Sequence, residues 1–350
     1  MPRVVGHESR VMRPVSRVPR RASVLSALSI LSACASPGPA GKEERFVVPE
    51  HARFGQVLDT LEAHGLIASR FWFKLQARVT GADRTLHAGH YVTSRGTSAS
   101  ALLTMLAEGR TASVRLTIPE GLTLPEVAET VERDLGIPAD SVLAAARNAG
   151  LGESLGIQAQ TLEGFLHPDT YILAQDASAS DVVSMMVGEF EHTWKPAWNA
   201  RLDSLHMTRL QLVTLASIVE GEARVDSERE TIAGVYHNRL RIGMALQADP
   251  TVQYAIQLTT GERKQRLYTK DYRTPSPYNT YLHPGLPPGP VNSPGIRSIQ
   301  AALYPADVPW LYFVAAPDGH HVFSRTYSEH LRAIRQVRRA ARADSSRAPG

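Results

Sequence analysis

Leu116-Thr117-Ile118-Pro119-Glu120-Gly121, followed by Leu124, Val127, Ala128 and Val131, is the stretch from which the fold is read. Leu116 to Ile118 suits an extended strand, Pro119 ends it, and Glu120-Gly121 supplies a turn. The later apolar residues stand at i, i+3, i+4 and i+7, the spacing of one helix face. The same order occurs 70 positions earlier, in Phe46-Val47-Val48-Pro49 with Phe54, Val57, Leu58 and Leu61. A weaker copy lies between them: Tyr91-Val92-Thr93, then Ala99, Leu102, Leu103 and Leu106. These units predict an α+β chain: a small strand-turn-helix domain over 45–155, then a mixed α/β domain over 156–335.

Units of this kind resemble LysM-type modules, which implies binding of N-acetylated glycans. The residues leave a second reading open, in which the repeats only pack against one another. Tyr91 and Trp72 are the candidates for stacking on a sugar ring.

The 350 residues are 43% hydrophobic and 21% charged, ordinary for a globular protein. No run of roughly 18 or more apolar residues occurs, so no membrane-spanning helix is predicted. The single cysteine excludes an intramolecular disulfide and any zinc site that needs two thiolates. The formal charge of +4 sits at the ends: residues 1–33 and 331–350 each carry a net +5, which leaves the middle at −6. A folded core of that sign argues against nucleic acid as a partner.

The Arg-rich start runs into a 12-residue apolar stretch, Ala22 to Ala33. It is too short to span a bilayer and suits the core of a signal peptide over 1–33. Leu31-Ser32-Ala33-Cys34 resembles a bacterial lipobox, which implies lipid attachment at Cys34. An ordinary secretory signal or a chance cysteine is the alternative. Residues 34–44 read as a flexible tether and 336–350 as a basic tail. The chain is therefore expected to be anchored at the cell membrane, facing the periplasmic or extracytoplasmic side.

Met207 to Glu222 reads as a helix with Leu212, Leu215, Ile218 and Val219 on its apolar face. It ends in Glu220-Gly221-Glu222. Carboxylates two positions apart on a helix lie about 200° apart, so both cannot face one site. Glu222 falls nearer the stripe of Leu215 and Val219, where desolvation raises a carboxyl pKa and suits it to general acid work. The spacing alone equally fits two solvated glutamates at a helix end. Asp226 to Glu230 open another helix, with Ile232, Val235 and Leu240, closed by Gly243. Ser298 to Leu303 predicts a short helix, and Trp310 to Ala315 a buried strand.

Six runs stand together in order: Ser217-Ile218-Val219-Glu220-Gly221-Glu222, Asn238-Arg239-Leu240-Arg241-Ile242-Gly243-Met244, Leu246-Gln247-Ala248-Asp249-Pro250-Thr251-Val252, Tyr278-Asn279-Thr280-Tyr281, Gly285-Leu286-Pro287-Pro288-Gly289-Pro290 and Leu311-Tyr312-Phe313-Val314. With them the chain resembles the endolytic murein transglycosylase family (YceG-like) over residues 45–335. The resemblance implies a LysM-like subdomain before a catalytic domain. It implies cleavage within nascent peptidoglycan strands that leaves 1,6-anhydro-muramic acid ends. It also implies work beside peptidoglycan synthases in setting strand length. The family's catalytic acid is the second of the pair, which is Glu222 here. Two departures stand out. A lipobox-like signal replaces the family's usual transmembrane helix, and His167 stands where an aromatic usually precedes Pro168-Asp169-Thr170.

Glu163, Asp169, Gln247, Asp249, Tyr254, Tyr278 and Asn279 are the candidates for contacting the glycan or orienting Glu222. Their amides, carboxylates and phenols suit acetamido and hydroxyl groups. Asp249 before Pro250 equally suits a simple turn, and Tyr254 the core. One rival reading is a muramidase that uses water, with Asp169 or Glu163 as second carboxylate. Another is a non-catalytic peptidoglycan-binding scaffold. His320-His321 and His283 lack ligand spacing, so no metal or cofactor is expected.

Overall fold

The computed structural model describes residues 41–49, 51–154, 157 and 159–345. The expected signal peptide, Cys34 with most of the tether, and residues 346–350 of the basic tail lie outside them. The chain forms two compact units that divide after Arg110.

The first unit holds β1 (Glu43–Val48), α1 (Phe54–Ala63), α2 (Arg70–Thr80), β2 (Gly89–Ser94) and α3 (Ala99–Ala107). Strands β1 and β2 pair antiparallel, with Phe46 opposite Tyr91. Side chains alternate across a strand, so Phe46, Val48 and Tyr91 turn inward together. They meet Val57, Leu58 and Leu61 of α1 and Leu102, Leu103 and Leu106 of α3, the residues the helical spacing marks. Tyr91 is fully buried, stacks on Phe46 with ring centroids 5.5 Å apart, and donates its hydroxyl to the His87 carbonyl. A ring held this way is a core residue, so Tyr91 offers no face to a sugar. Trp72 is exposed on α2.

The second unit opens with the third copy, β3 (Ser113–Thr117) and α4 (Leu124–Leu135), followed by α5 (Ala139–Ala146) and α6 (Ala149–Ser154). Thr123 and Glu126 form a reciprocal capping box at the start of α4. Strand β3 pairs antiparallel with β4 (Thr170–Ala174), Leu116 opposite Tyr171. The ladder partner of β3 thus lies beyond residue 155, and α4 shares one core with Phe165, Val182 and Leu215. For that reason the units divide at 110/111 and not at the expected 155/156.

Helices α7 (Ala179–Thr193), α8 (Ala197–Leu205), α9 (Arg209–Glu222), α10 (Arg229–Arg241), α11 (Asp249–Thr260) and α12 (Ile296–Leu303) follow. Thr208 caps α9, its Oγ accepting from the Gln211 amide. Every residue from Leu212 to Val219 is buried, so α9 is a central helix with apolar contacts all round. Strands β5 (Tyr312–Ala315) and β6 (His321–Ser324) form a hairpin, and α13 (Tyr327–Ser345) closes the described chain. The expected buried strand at 310–315 is in fact half-buried: among the described strands β5 pairs with β6 alone, so its other edge is not covered by a strand. Much of the basic tail is the last part of α13. Among the described residues no helix is long and apolar enough to cross a membrane.

Candidate active site

Glu222 is the last residue of α9. Its Oε1 accepts a hydrogen bond from Tyr236 Oη at 3.0 Å and from the Asp249 amide at 3.2 Å. Tyr236 stands four residues after Ile232 on α10, so both lie on the buried face, and its ring is fully buried. The Asp249 amide is free to donate because it opens α11, where the first N–H groups have no partner inside the helix. Glycine at 221 permits the approach: a Cβ there would meet Pro250 Cγ at 2.6 Å.

Burial pushes the Glu222 carboxyl up to about 7, and the charge of Asp249 adds to the rise. The bonds from Tyr236 and the Asp249 amide favour the carboxylate and pull the other way. Glu222 is therefore poised near neutrality, able to give a proton and to take one back.

The Asp249 carboxylate lies beside this acid. Tyr281 Oη donates to its Oδ1 at 2.7 Å, and Tyr272 Oη stands 3.5 Å from Oδ2. The two tyrosine rings lean together with centroids 4.6 Å apart.

Glu220 turns elsewhere, as the angular argument requires. Its Oε2 accepts from Arg229 Nη1 at 3.0 Å, Ser298 Oγ at 2.7 Å and the Gly295 amide at 3.1 Å. It ties α9 to α10 and α12.

Glu163 is 2% exposed. Both its oxygens lie 3.0 Å from the Leu124 amide, and Tyr254 Oη donates to Oε2 at 3.0 Å. Burial pushes this carboxyl up to about 7 against those bonds. On α11, Glu163 meets the Tyr254 side chain, while Glu222 meets the Asp249 backbone amide at the helix start, five residues earlier. Asn279 is fully buried. Its Nδ2 donates to the Tyr272 and Thr274 carbonyls at 3.2 and 2.8 Å, and its Oδ1 accepts from the Tyr281 amide at 3.0 Å. It braces the loop that carries the two tyrosines. Glu163, Tyr254 and Asn279 thus have polar atoms engaged within the protein, where a substrate contact needs them open.

Gln247 is exposed and takes a left-handed backbone at φ 47°. Asp169 is exposed at the end of the β3–β4 pair and accepts from the Thr170 amide. Tyr278 packs on Tyr254 and lines a cavity of about 650 Å³ with Thr161, Leu210, Gly289 and Pro290, a set that does not include Glu222. Of the expected side chains, the structure brings Asp249 to the acid. His320 and His321 both hydrogen-bond Glu228, fastening the β5–β6 hairpin to the start of α10.

Sequence reasoning passed over Tyr236, Tyr272 and Tyr281. For Tyr236 a signal was present: a tyrosine on the apolar stripe of Ile232 must find a partner for its hydroxyl.

The YceG-like family model matches residues 46–336. The chain belongs to the YceG-like family. It is 31% identical over 305 residues to the endolytic murein transglycosylase of Bacillus subtilis strain 168, a match covering 82% of each chain. It is 30% identical over 319 residues to the endolytic murein transglycosylase of Streptococcus pneumoniae serotype 2, covering 82% of this chain and 57% of that one. A crystal structure of a YceG-like protein from Listeria monocytogenes superposes with a TM-score of 0.57 at 30% identity, covering 84% of this chain and 99% of that one. In this YceG-like chain three of the sequence motifs converge on one acid. Glu220-Gly221-Glu222 ends α9, Asp249-Pro250 starts α11, and Tyr278-Asn279-Thr280-Tyr281 reaches back to Asp249.

Proposed function

We propose that this chain is an endolytic murein transglycosylase in which Glu222 alone transfers the proton. Family membership makes it an enzyme of the lyase class, and peptidoglycan is the substrate class consistent with its relatives. The observation that carries the reading is the setting of Glu222, whose carboxyl is raised to about 7 while two donors stand ready for its ionised form.

In the proposed step the protonated Glu222 gives its proton to the oxygen joining MurNAc C1 to GlcNAc. The C1–O bond breaks and GlcNAc leaves with a restored hydroxyl. The C6 hydroxyl oxygen of the same MurNAc attacks the electron-poor C1, and its proton returns to the Glu222 carboxylate. One C–O bond forms as one breaks, no water is consumed, and Glu222 ends as it began. General acid–base help of this kind is worth about 10²–10⁴-fold in rate. Tyr236 Oη and the Asp249 amide stabilise the carboxylate half of the cycle, and the Asp249 charge favours the acid half. The reading places the enzyme at the cell membrane through lipid on Cys34, on the extracytoplasmic side. There it would act beside peptidoglycan synthases to limit strand length.

Mass spectrometry of glycan products tests the chemistry. The wild type is expected to leave 1,6-anhydro-MurNAc ends, and Glu222→Gln to lose nearly all product while staying folded. Near-normal turnover by that variant rejects Glu222. Hydrated reducing ends from the wild type favour a muramidase, with Asp249 beside Glu222 as its second carboxylate.

A further inference from the structure

Helix α2 of the first unit reads Arg70-Phe71-Trp72-Phe73-Lys74-Leu75-Gln76-Ala77-Arg78-Val79-Thr80. Its turn of about 100° per residue sorts nine of these into three stripes, with Gln76 and Thr80 between the apolar and the core-facing ones. Phe73 and Ala77 face the core of the unit and are buried. Phe71, Leu75 and Val79, spaced by four, share an arc of about 100° with Trp72. They are 70%, 43%, 80% and 56% exposed in that order. Arg70, Lys74 and Arg78, also spaced by four, form the adjoining stripe and are exposed. The helix contains no acid. Arg70 pairs with Asp59 and Glu62, whereas Lys74 and Arg78 join no ion pair among the described residues.

One exposed apolar side chain needs no explanation, but four side by side do. An aromatic and aliphatic stripe beside a basic one suits the boundary between lipid headgroups and acyl chains. The apolar side chains enter, tryptophan sits at headgroup level, and the cations meet anionic phosphates. A glycan fits less well, because sugar hydroxyls need donors and acceptors around the stacking ring, and Phe71, Leu75 and Val79 offer none, leaving the Trp72 indole N–H and the flanking Gln76. A second copy would bring Lys74 and Arg78 toward their own counterparts with no acid on the helix to meet them.

We propose that α2 is an interfacial helix that docks the first unit on an anionic phospholipid bilayer. The place of α2 in the chain agrees. With lipid on Cys34, the nine steps to Glu43 reach about 30 Å when extended, which keeps this unit close to the surface. The proposal rests on the reading that the protein works at a membrane and adds a second contact to it: the lipid holds the chain, and α2 orients it.

Flotation with vesicles tests it, using the chain from Ala35 onward, which keeps both units and carries no lipid. The vesicles are of equal parts phosphatidylglycerol and phosphatidylcholine, or of phosphatidylcholine alone. The protein is expected to float with the anionic vesicles. Trp72→Ser/Val79→Ser should abolish flotation, and Lys74→Ser/Arg78→Ser should weaken it by about fivefold per charge removed. All four positions are exposed, so unchanged circular dichroism and melting temperature confirm that each variant folds. Equal flotation of parent and variants, or flotation of none, overturns the proposal. So does retention on isolated sacculi that Trp72→Ser abolishes, or a sedimenting dimer that the same change dissolves. The anchor is read separately, from whether full-length Cys34→Ser leaves the membrane fraction.

Discussion

Gly221 and Pro250 are in van der Waals contact across two helices, and a Cβ on Gly221 would lie 2.7 Å from Pro250 Cβ and 2.6 Å from its Cγ. That contact seats the first turn of α11 on the end of α9, and so aims the Asp249 amide at Glu222. Alanine for glycine in a helix ordinarily gains about 0.5–1 kcal/mol. Here overpacking reverses the sign. Gly221→Ala is expected to lose about 1–3 kcal/mol in denaturant unfolding and to cut turnover at least roughly tenfold as Pro250 shifts. A variant more stable than the wild type and equally active would show that the contact has no bearing on the acid.

Tyr236→Phe should move the pH profile upward. The first step needs protonated Glu222, so kcat/KM is expected to fall as pH rises through about 7. The Tyr236 hydroxyl stabilises the carboxylate and holds that value down. Without it the descending limb is expected about one unit higher, with a lower plateau from looser positioning. A plateau that drops while the limb stays in place would mean the hydroxyl only packs.

Asp249→Asn should act in the opposite direction. The aspartate charge raises Glu222, and asparagine removes it while the backbone amide remains. The limb is expected at lower pH, leaving activity near pH 7 several-fold reduced and activity in mild acid better retained. Parallel profiles of the two variants and the wild type would exclude electrostatic coupling between Asp249 and Glu222.

Glu163 links stability to pH. Its folded value of about 7 stands above its ordinary 4.5, so the protein binds this proton more tightly when folded. The contribution is present below about 4.5 and is lost as pH rises through about 7. Glu163→Gln keeps the neutral form at all pH. Relative to wild type it is expected to gain stability steadily over that window, by about 3 kcal/mol at most. Unfolding curves collected across the window check it, and a gap independent of pH would place the ionisable proton elsewhere.

The strand-turn-helix units were legible because their periods of two and 3.6 residues are local properties of the chain. The opposed directions of Glu220 and Glu222 were legible for the same reason. The division after Arg110 was not, since β3 finds its partner β4 more than fifty residues on. Helix α11 was missed because Ala248-Asp249-Pro250 reads as a turn, although Pro250 is well placed in a first helical turn. The polar character of Asn279 and Glu163 suggested substrate contacts. Burial assigned them instead to bracing the chain from within.

Sequence by itself determined the strand-turn-helix units, the helices α9 and α10 with their apolar faces, and that one acid of the pair at the end of α9 falls nearer that face. Only the tertiary structure decided what surrounds that acid. Tyr236 is 14 residues from it and Asp249 is 27, while Tyr281 reaches Asp249 from 32 further on. Those distances along the chain close only when α9, α10 and α11 pack. The desolvation that lifts Glu222 belongs to the packed interior, because a carboxyl loses its water to neighbours in space and not to neighbours in order.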